Sequence, residues 1–408
     1  MQFTTITYLL ILFILNFFTI FHLILWFEVR NKLKRKPLSN SELPNVSVIV
    51  PTYNEGKLIS TSLKKLLSIN YPRNKYEVLV IDDGSTDDTY EIAKKFQSKN
   101  IRVFKKKNSG KAASMNFGIK MARYDYVAIM DADSFLEKNS LRQCMAYFDE
   151  YDVAAVTSHI LVKRQTTIWE KLQQAEYMIV SVFRKAQEHL NLISVTPGPL
   201  SVYNKKILVK VGGFDEKNLV EDVEIDWRLL KNGYKIRMAF DAIVHSFYPD
   251  NLKWWWKQRT RWTIGGIQTF FKYLRFIFDK KAHNVGRFIV PISLLVYVLS
   301  LLGIIIFMYL TATRAFAYFL YLTTSLSFGI NPFSNFDISY NVDLLVIYGI
   351  LIFLFSLYTI RLSTKVHKED PSIPVLAIFL TLYPILLTIN LLTSIYKFLR
   401  NERGWMTK

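Results

Sequence analysis

Tyr126-Val127-Ala128-Ile129-Met130-Asp131-Ala132-Asp133 is a short apolar, β-rich run that ends abruptly in two carboxylates. Two runs upstream share its form. Val46 to Val50 leads into Pro51-Thr52-Tyr53-Asn54-Glu55, and Val78 to Ile81 leads into Asp82-Asp83-Gly84-Ser85. Between and after them, Gly56 to Asn70, Asp87 to Lys99 and Ala112 to Arg123 read as helices. Strand, helix, strand in this rhythm is the βαβ signature of a parallel sheet covered on both faces. Such sheets bind ligands beyond the carboxyl ends of their strands, where these polar segments fall.

Outward from this core the chain turns apolar. Phe3 to Phe27 carries no formal charge and is followed by Arg30, Lys32, Lys34, Arg35 and Lys36. It reads as a transmembrane helix, because the basic start and small-residue exit of a cleaved signal peptide are missing. Phe288 to Leu310 is a second uncharged span, and Leu344 to Ile360 is at the short limit for crossing. Basic residues favour the cytoplasmic side, so the N-terminus is expected outside and the βαβ region in the cytoplasm. A full crossing by Val375 to Tyr396 would export Lys397, Arg400, Arg403 and Lys408. A segment that dips into the bilayer and returns, helped by Pro384, or one that lies at the interface, keeps them inside.

These boundaries give a transmembrane helix over 1–29, a cytoplasmic α/β domain over 30–250 and amphipathic interface helices over 251–287. A transmembrane region follows over 288–374, then a reentrant or transmembrane segment and cytoplasmic tail over 375–408. The 408 residues carry 52 Lys+Arg against 33 Asp+Glu, a net charge of +19, with 51% hydrophobic residues, which excludes a disordered chain. The excess base flanks apolar runs, so the expected partners are anionic lipid head groups of the bilayer and acidic phosphosugars, with no nucleic acid. One cysteine, Cys144, excludes a disulfide framework or a cysteine-based zinc site.

Read one at a time, the motifs stay open. Asp82-Asp83-Gly84-Ser85 can meet the donors of a base or ribose, and it is also ordinary turn chemistry. Asp131 and Asp133 can hold a hard divalent cation that bridges a diphosphate, or be two acids on a solvated loop. Lys111, after Gly110, would neutralise phosphate charge, or lie on the surface. Glu221-Asp222 opens a helix, where an acid can be a general base or complement the helix dipole. Trp254-Trp255-Trp256 among bases suits a membrane surface, which leaves Gln258-Arg259-Thr260-Arg261-Trp262 unexplained. His245 reads either as a metal ligand or as a structural histidine.

Taken together, in this order and spacing, the four motifs resemble the processive family 2 glycosyltransferases: cellulose, chitin, hyaluronan and poly-N-acetylglucosamine synthases. The resemblance covers nearly the whole chain. It implies a Rossmann-like GT-A fold that binds a UDP-sugar with Mg2+ or Mn2+. Thr52, Tyr53, Glu55 and Asp83 match uridine-site positions, with Asp82 beside them. Lys111 and Asp131 match diphosphate contacts, and Asp133 matches the principal metal ligand. Asp222 matches the catalytic base, and Glu221 beside it is grouped with the acceptor and diphosphate positions. Gln258, Arg259, Arg261 and Trp262 match the border of acceptor and diphosphate, and Trp405 and Lys408 match a tail that gates the nucleotide.

The implied activity is inverting, processive polymerisation of a UDP-sugar, UDP-N-acetylglucosamine first and UDP-glucose next, into an exported polysaccharide. The growing chain is the acceptor, and a small membrane or export subunit is a further partner. Pro197-Gly198-Pro199-Leu200-Ser201 pulls toward a hyaluronan-synthase-like polymerase. Single transfer to a membrane lipid, as in ceramide glucosyltransferases, is the other enzymatic reading.

Overall fold

The computed structural model describes residues 3–331, 344–367 and 369–402. In chain order the strands are β1 Val46–Thr52, β2 Tyr76–Asp82, β3 Ile101–Lys105, β4 Tyr126–Ile129, β5 Ser134–Leu136, β6 Val153–Val162, β7 Ser201–Asn204 and β8 Lys235–Ser246. The helices are α1 Phe3–Val29, α2 Gly56–Leu66, α3 Thr89–Lys94, α4 Lys111–Met121, α5 Ser140–Met145 and α6 Ile168–Glu188. After them come α7 Lys205–Lys210, α8 Glu221–Lys231, α9 Leu252–Tyr273, α10 Val290–Ser327, α11 Leu344–His367 and α12 Ile373–Leu399.

The strands form one sheet in the order β3-β2-β1-β4-β7-β6-β8-β5. β1 is parallel to β2 on one side and to β4 on the other, so the chain reverses its direction of travel across the sheet between β1 and β4. That switch point opens the crevice in which α/β sheets take ligands. Every residue of β1 and β2 is buried, as expected for a parallel sheet covered on both faces. Val48, Val50, Val78, Val80, Ala128 and Met130 pack with Ile59, Leu63 and Leu66 of α2. β7 then runs antiparallel between β4 and β6, and its short length follows from its task of carrying the chain back beside the site.

The chain divides into two compact units. Residues 24–291 and 363–408 form one, and residues 1–23 and 292–362 the other. Apart from the turn after Ser327, the described residues of the second are apolar helix. α10 is unbroken through Arg314 to Ser327, so the stretch ending near Leu310 in the sequence reading is only its first half. At 38 residues it is about 57 Å long, more than a bilayer with its head groups requires. Four helices in the described residues are long and apolar enough to cross a membrane.

α12 belongs to the first of these units, the one that carries the sheet. The doubling back expected at Pro384 is absent. The helix runs continuously from Ile373 to Leu399, with a proline that removes one backbone donor but does not turn the chain. Val375 and Tyr383 of α12 pack with Leu172 of α6 and Trp255 of α9. Ile373, Leu382, Ile385, Ile389, Leu392 and Leu399 remain exposed on its other side.

Candidate active site

β1 and β2 end in register at Thr52 and Asp82. Both residues are buried, and among the described residues Thr52 Oγ1 and Asp82 Oδ1 have no hydrogen-bond partner. Buried polar atoms are almost always paired, so two orphans at adjoining strand ends form a place that a polar ligand could satisfy. The neighbouring Asp83 is fully engaged. Its amide donates to Thr52 O at 2.8 Å, and its carboxylate accepts from the amides of Ser109 at 3.0 Å and Gly110 at 2.8 Å and from the Lys106 ammonium. Asp83 thus anchors the loop that delivers Lys111 at the start of α4. Gly84, at φ 76°, is required here, because a Cβ would sit 2.9 Å from Asn108 N. Tyr53 is half-buried beside this end, and Glu55 starts α2 with its amide donating to Thr89 Oγ1 at 2.8 Å.

Beyond β4, Ser134 N donates to Asp131 O at 3.1 Å, a tight turn between the two carboxylates of the Asp-Ala-Asp motif. Lys111 Nζ lies 2.5 Å from Asp131 Oδ1 and 3.4 Å from Glu221 Oε1. These carboxylates push the lysine well above its usual pKa despite its burial, so it stays charged. Gly198 closes over the pair, its carbonyl accepting from Asp131 N at 3.1 Å. Ser246 Oγ donates to Asp133 Oδ1 at 3.4 Å. His245 faces Glu137 across the β5–β8 pair, at 3.4 Å. The ligand reading of this histidine gains nothing from that placement.

Asp222 occupies the first turn of α8, its Oδ1 accepting from Val223 N at 2.9 Å. Burial, with the charge of Glu221, pushes its carboxyl up to about 6, while Lys111 and Arg261 pull the other way. α9 reaches this turn because residue 265 is glycine. A Cβ there would stand 2.6 Å from Val220 Cγ2. Arg261 Nη1 donates to Leu219 O at 3.4 Å, and the buried amide oxygen of Gln258 has no partner among the described residues.

Arg259 departs from the sequence reading. Its guanidinium forms a two-pronged ion pair with Glu176 of α6, at 2.7 and 2.6 Å, and lies over the rings of Trp255 and Trp262. Glu176 also accepts from Tyr383 of α12 at 2.6 Å. Arg259 therefore fastens α9 to α6 and α12, with its guanidinium engaged by Glu176. A motif of alternating charge and aromatic residues does not reveal which side of the helix each side chain takes. Trp405 and Lys408 lie outside the described residues.

The profile of Glycosyl transferase family 2 matches residues 47–212. Poly-beta-1,6-N-acetyl-D-glucosamine synthase of Staphylococcus aureus (strain COL) is 30% identical over 289 residues, which cover 69% of this chain and 68% of that protein. The chain belongs to glycosyl transferase family 2. The synthase of the same name from Staphylococcus epidermidis is 30% identical over 240 residues, 58% of each chain. In solved structures, this family 2 enzyme shares its fold with a Pyrobaculum calidifontis mannosyltransferase in complex with GDP-Man and Mn2+. The TM-score is 0.60 at 22% identity, over 88% of this chain and 99% of that one. The fold is GT-A, a Rossmann-like sheet carrying the family 2 site, with apolar helices toward both ends of the chain.

Two further groups of residues on and beside α6 and α8 stand out in this glycosyltransferase. Asp226, one turn further along α8, is fully buried and accepts from Thr196 Oγ1 at 2.8 Å. Tyr177 of α6 and Tyr248 pack with ring centroids 4.6 Å apart, and Arg184 follows Tyr177 by two turns. The signal available was the seven-residue spacing of Tyr177 and Arg184, which places both on one face of an amphipathic helix.

Proposed function

We propose that this protein is a membrane-embedded, inverting, processive β-glycosyltransferase that polymerises UDP-N-acetylglucosamine into an extracellular polysaccharide and exports it. The observation that carries the reading is Asp222. It is a half-buried carboxylate raised to about 6, set against the Lys111–Asp131 pair through Glu221. A base whose pKa lies near working pH combines the correct ionisation with proton-accepting strength. The choice of sugar is supported by the relatives named poly-beta-1,6-N-acetyl-D-glucosamine synthase.

In this reading the uridine docks at Thr52, Tyr53, Glu55 and the Asp82–Asp83 turn, against the two orphaned oxygens, and Lys111 faces the diphosphate. Asp222 accepts the proton of the acceptor hydroxyl as its oxygen attacks the anomeric carbon. The bond to UDP breaks on the opposite face, so an α-linked donor yields a β-linkage. Gln258, Arg261 and Trp262 border the acceptor end.

A divalent cation fits the site. Among the described residues no three metal-binding side chains cluster. Asp133 and Asp131 are hard oxygen donors that would hold Mg2+ or Mn2+ only with phosphate oxygens completing the shell. Such an ion would neutralise charge on the leaving diphosphate.

The membrane placement follows the boundaries given above, with several crossings in the cell membrane, the catalytic unit cytoplasmic and α12 at the bilayer interface. Trp405 and Lys408 would then lie on the nucleotide side. A small export subunit would act with the chain, not supply its chemistry. Incubating the purified protein with single UDP-sugars and sizing the product tests the activity. Long chains from UDP-N-acetylglucosamine are expected; a single transferred sugar, or turnover of another donor only, overturns it. Orientation is read from Cys144→Ser with Lys99→Cys. An impermeant thiol reagent should label the exposed position 99 only after the membrane is opened, and labelling of intact cells would reverse the topology.

A further inference from the structure

His159 of β6 and His367, the last residue of α11, meet through their Nε2 atoms at 2.8 Å. The transfer reaction uses neither. His159 is 3% exposed and its Nδ1 lies 3.0 Å from Phe240 O, while Nδ1 of His367 lies 2.7 Å from Ser363 O. A carbonyl oxygen only accepts, so each Nδ1 must carry a hydrogen. A neutral imidazole has a single N–H, and spending both on the backbone leaves two bare Nε2 lone pairs face to face. The three gaps, oxygen to nitrogen, nitrogen to nitrogen and nitrogen to oxygen, need three protons, and two neutral rings supply two.

The surroundings locate the third. Ser181 Oγ of α6 donates to Met178 O at 2.8 Å and lies 3.1 Å from His367 Nε2, so it too turns a lone pair toward that nitrogen. A hydrogen on His367 Nε2 serves Ser181 Oγ and His159 Nε2 together. The Phe240 ring stacks on His159 with centroids 4.6 Å apart and stands 5.7 Å from the ring of His367, offering its electron-rich face to a positive charge. Glu369, held by Gln174 Nε2 at 2.7 Å, favours charge on His367, whereas Arg184 of α6 and His245 of β8 oppose charge on His159. Burial, then the charge of His367, push His159 down to about 3, which keeps a second extra proton off the pair. A zinc ion held tetrahedrally by two imidazoles would set their nitrogens about 3.3 Å apart. The observed gap is that of a hydrogen bond.

We propose that His159 and His367 hold one proton between them as a singly charged pair, and that this pair is a pH-sensitive latch tying the end of α11 to β6. The latch does not depend on the sugar chemistry proposed above.

In the unfolded chain the two histidines bind two protons well below about pH 6.5 and none well above it, whereas the folded pair binds one across this range. Below that pH the unfolded chain holds more protons, so stability rises with pH; above it the fold holds more, so stability falls. The test melts the tag-free full chain in detergent, wild type against His367→Gln, from pH 5 to pH 8, with and without EDTA. The Tm advantage of wild type should peak near pH 6.5 and shrink by about 2 °C per pH unit on either side, whether or not EDTA is present. An advantage that climbs to a plateau above pH 7 means a neutral pair and overturns the proposal. One that EDTA abolishes and Zn2+ restores means a metal site and overturns it too. Should His367→Gln fail to fold, NMR of wild type with nitrogen-15 histidine decides. At pH 7 one ring proton should couple to nitrogens of two different histidines, and its absence overturns the latch.

Discussion

Replacing Asp222 by asparagine should make the protein more stable and nearly inactive, and the gain in stability should depend on pH. The carboxyl stands at about 6 in the fold against an ordinary 3.8. A raised pKa means that the native state binds the proton more tightly than the unfolded chain. Its stabilising contribution is complete below pH 3.8 and is lost as pH rises through 6. At about 1.4 kcal/mol per pH unit, ionised Asp222 costs the fold up to about 3 kcal/mol at pH 8. Partial solvent access trims this to about 2 kcal/mol. Asparagine removes the charge and keeps the shape, so the Tm of Asp222→Asn should exceed that of wild type by about 4–8 °C at pH 8. At pH 5 the difference should be about half as large. Turnover should fall by about two to four orders of magnitude, with UDP binding retained. Differential scanning fluorimetry at the two pH values, alongside product formation, checks both halves. A variant that melts below wild type at pH 8, or a Tm difference independent of pH, would refute the electrostatic account of the base.

Three further outcomes follow from the geometry. Asp133→Asn should abolish turnover with expression and membrane insertion intact, and full activity of this variant in chelator-treated membranes would remove Asp133 from the metal role. Gly198→Ala would place a Cβ 2.5 Å from Asp131 Oδ2 and 2.6 Å from Lys111 Nζ, so donor KM should rise by about tenfold or more; an unchanged value would show that the pair does not face the donor. Glu176→Ala leaves Arg259 buried without its partner and should destabilise the catalytic unit by about 3–5 kcal/mol. A double-mutant cycle with Arg259→Ala measures the coupling, and a value below about 1 kcal/mol would mean that the clamp is ornamental.

Much of the donor side is legible in the sequence, because strands buried on both faces leave an unmistakable apolar run and end where glycine or acid begins. The run Val78 to Ile81 became β2 Tyr76–Asp82, and the helix expected over 112–123 became α4 Lys111–Met121. The antiparallel strand β7 was illegible, since Ser201–Asn204 has four residues, too few for alternation to show. Pro384 misled in α12, where packing on α6 and α9 offsets one lost backbone bond. Around Asp222, the motifs single out Asp222 and Arg261, but not Asp226, which reads as one more acid in an acidic turn. Its burial is set by Thr196 and Tyr203, which come from other parts of the chain.

The attachment of α12 to the catalytic unit bears on how a water-soluble version could be made. Cutting away every apolar helix would strip the cover from Trp255 and Leu172 and leave Glu176 without the Tyr383 hydroxyl. The remainder would present a fresh greasy surface and aggregate. A minimal enzyme would instead join residues 24–291 to 363–408, discard the other helices, and replace the outward Ile385, Ile389 and Leu392 with polar residues.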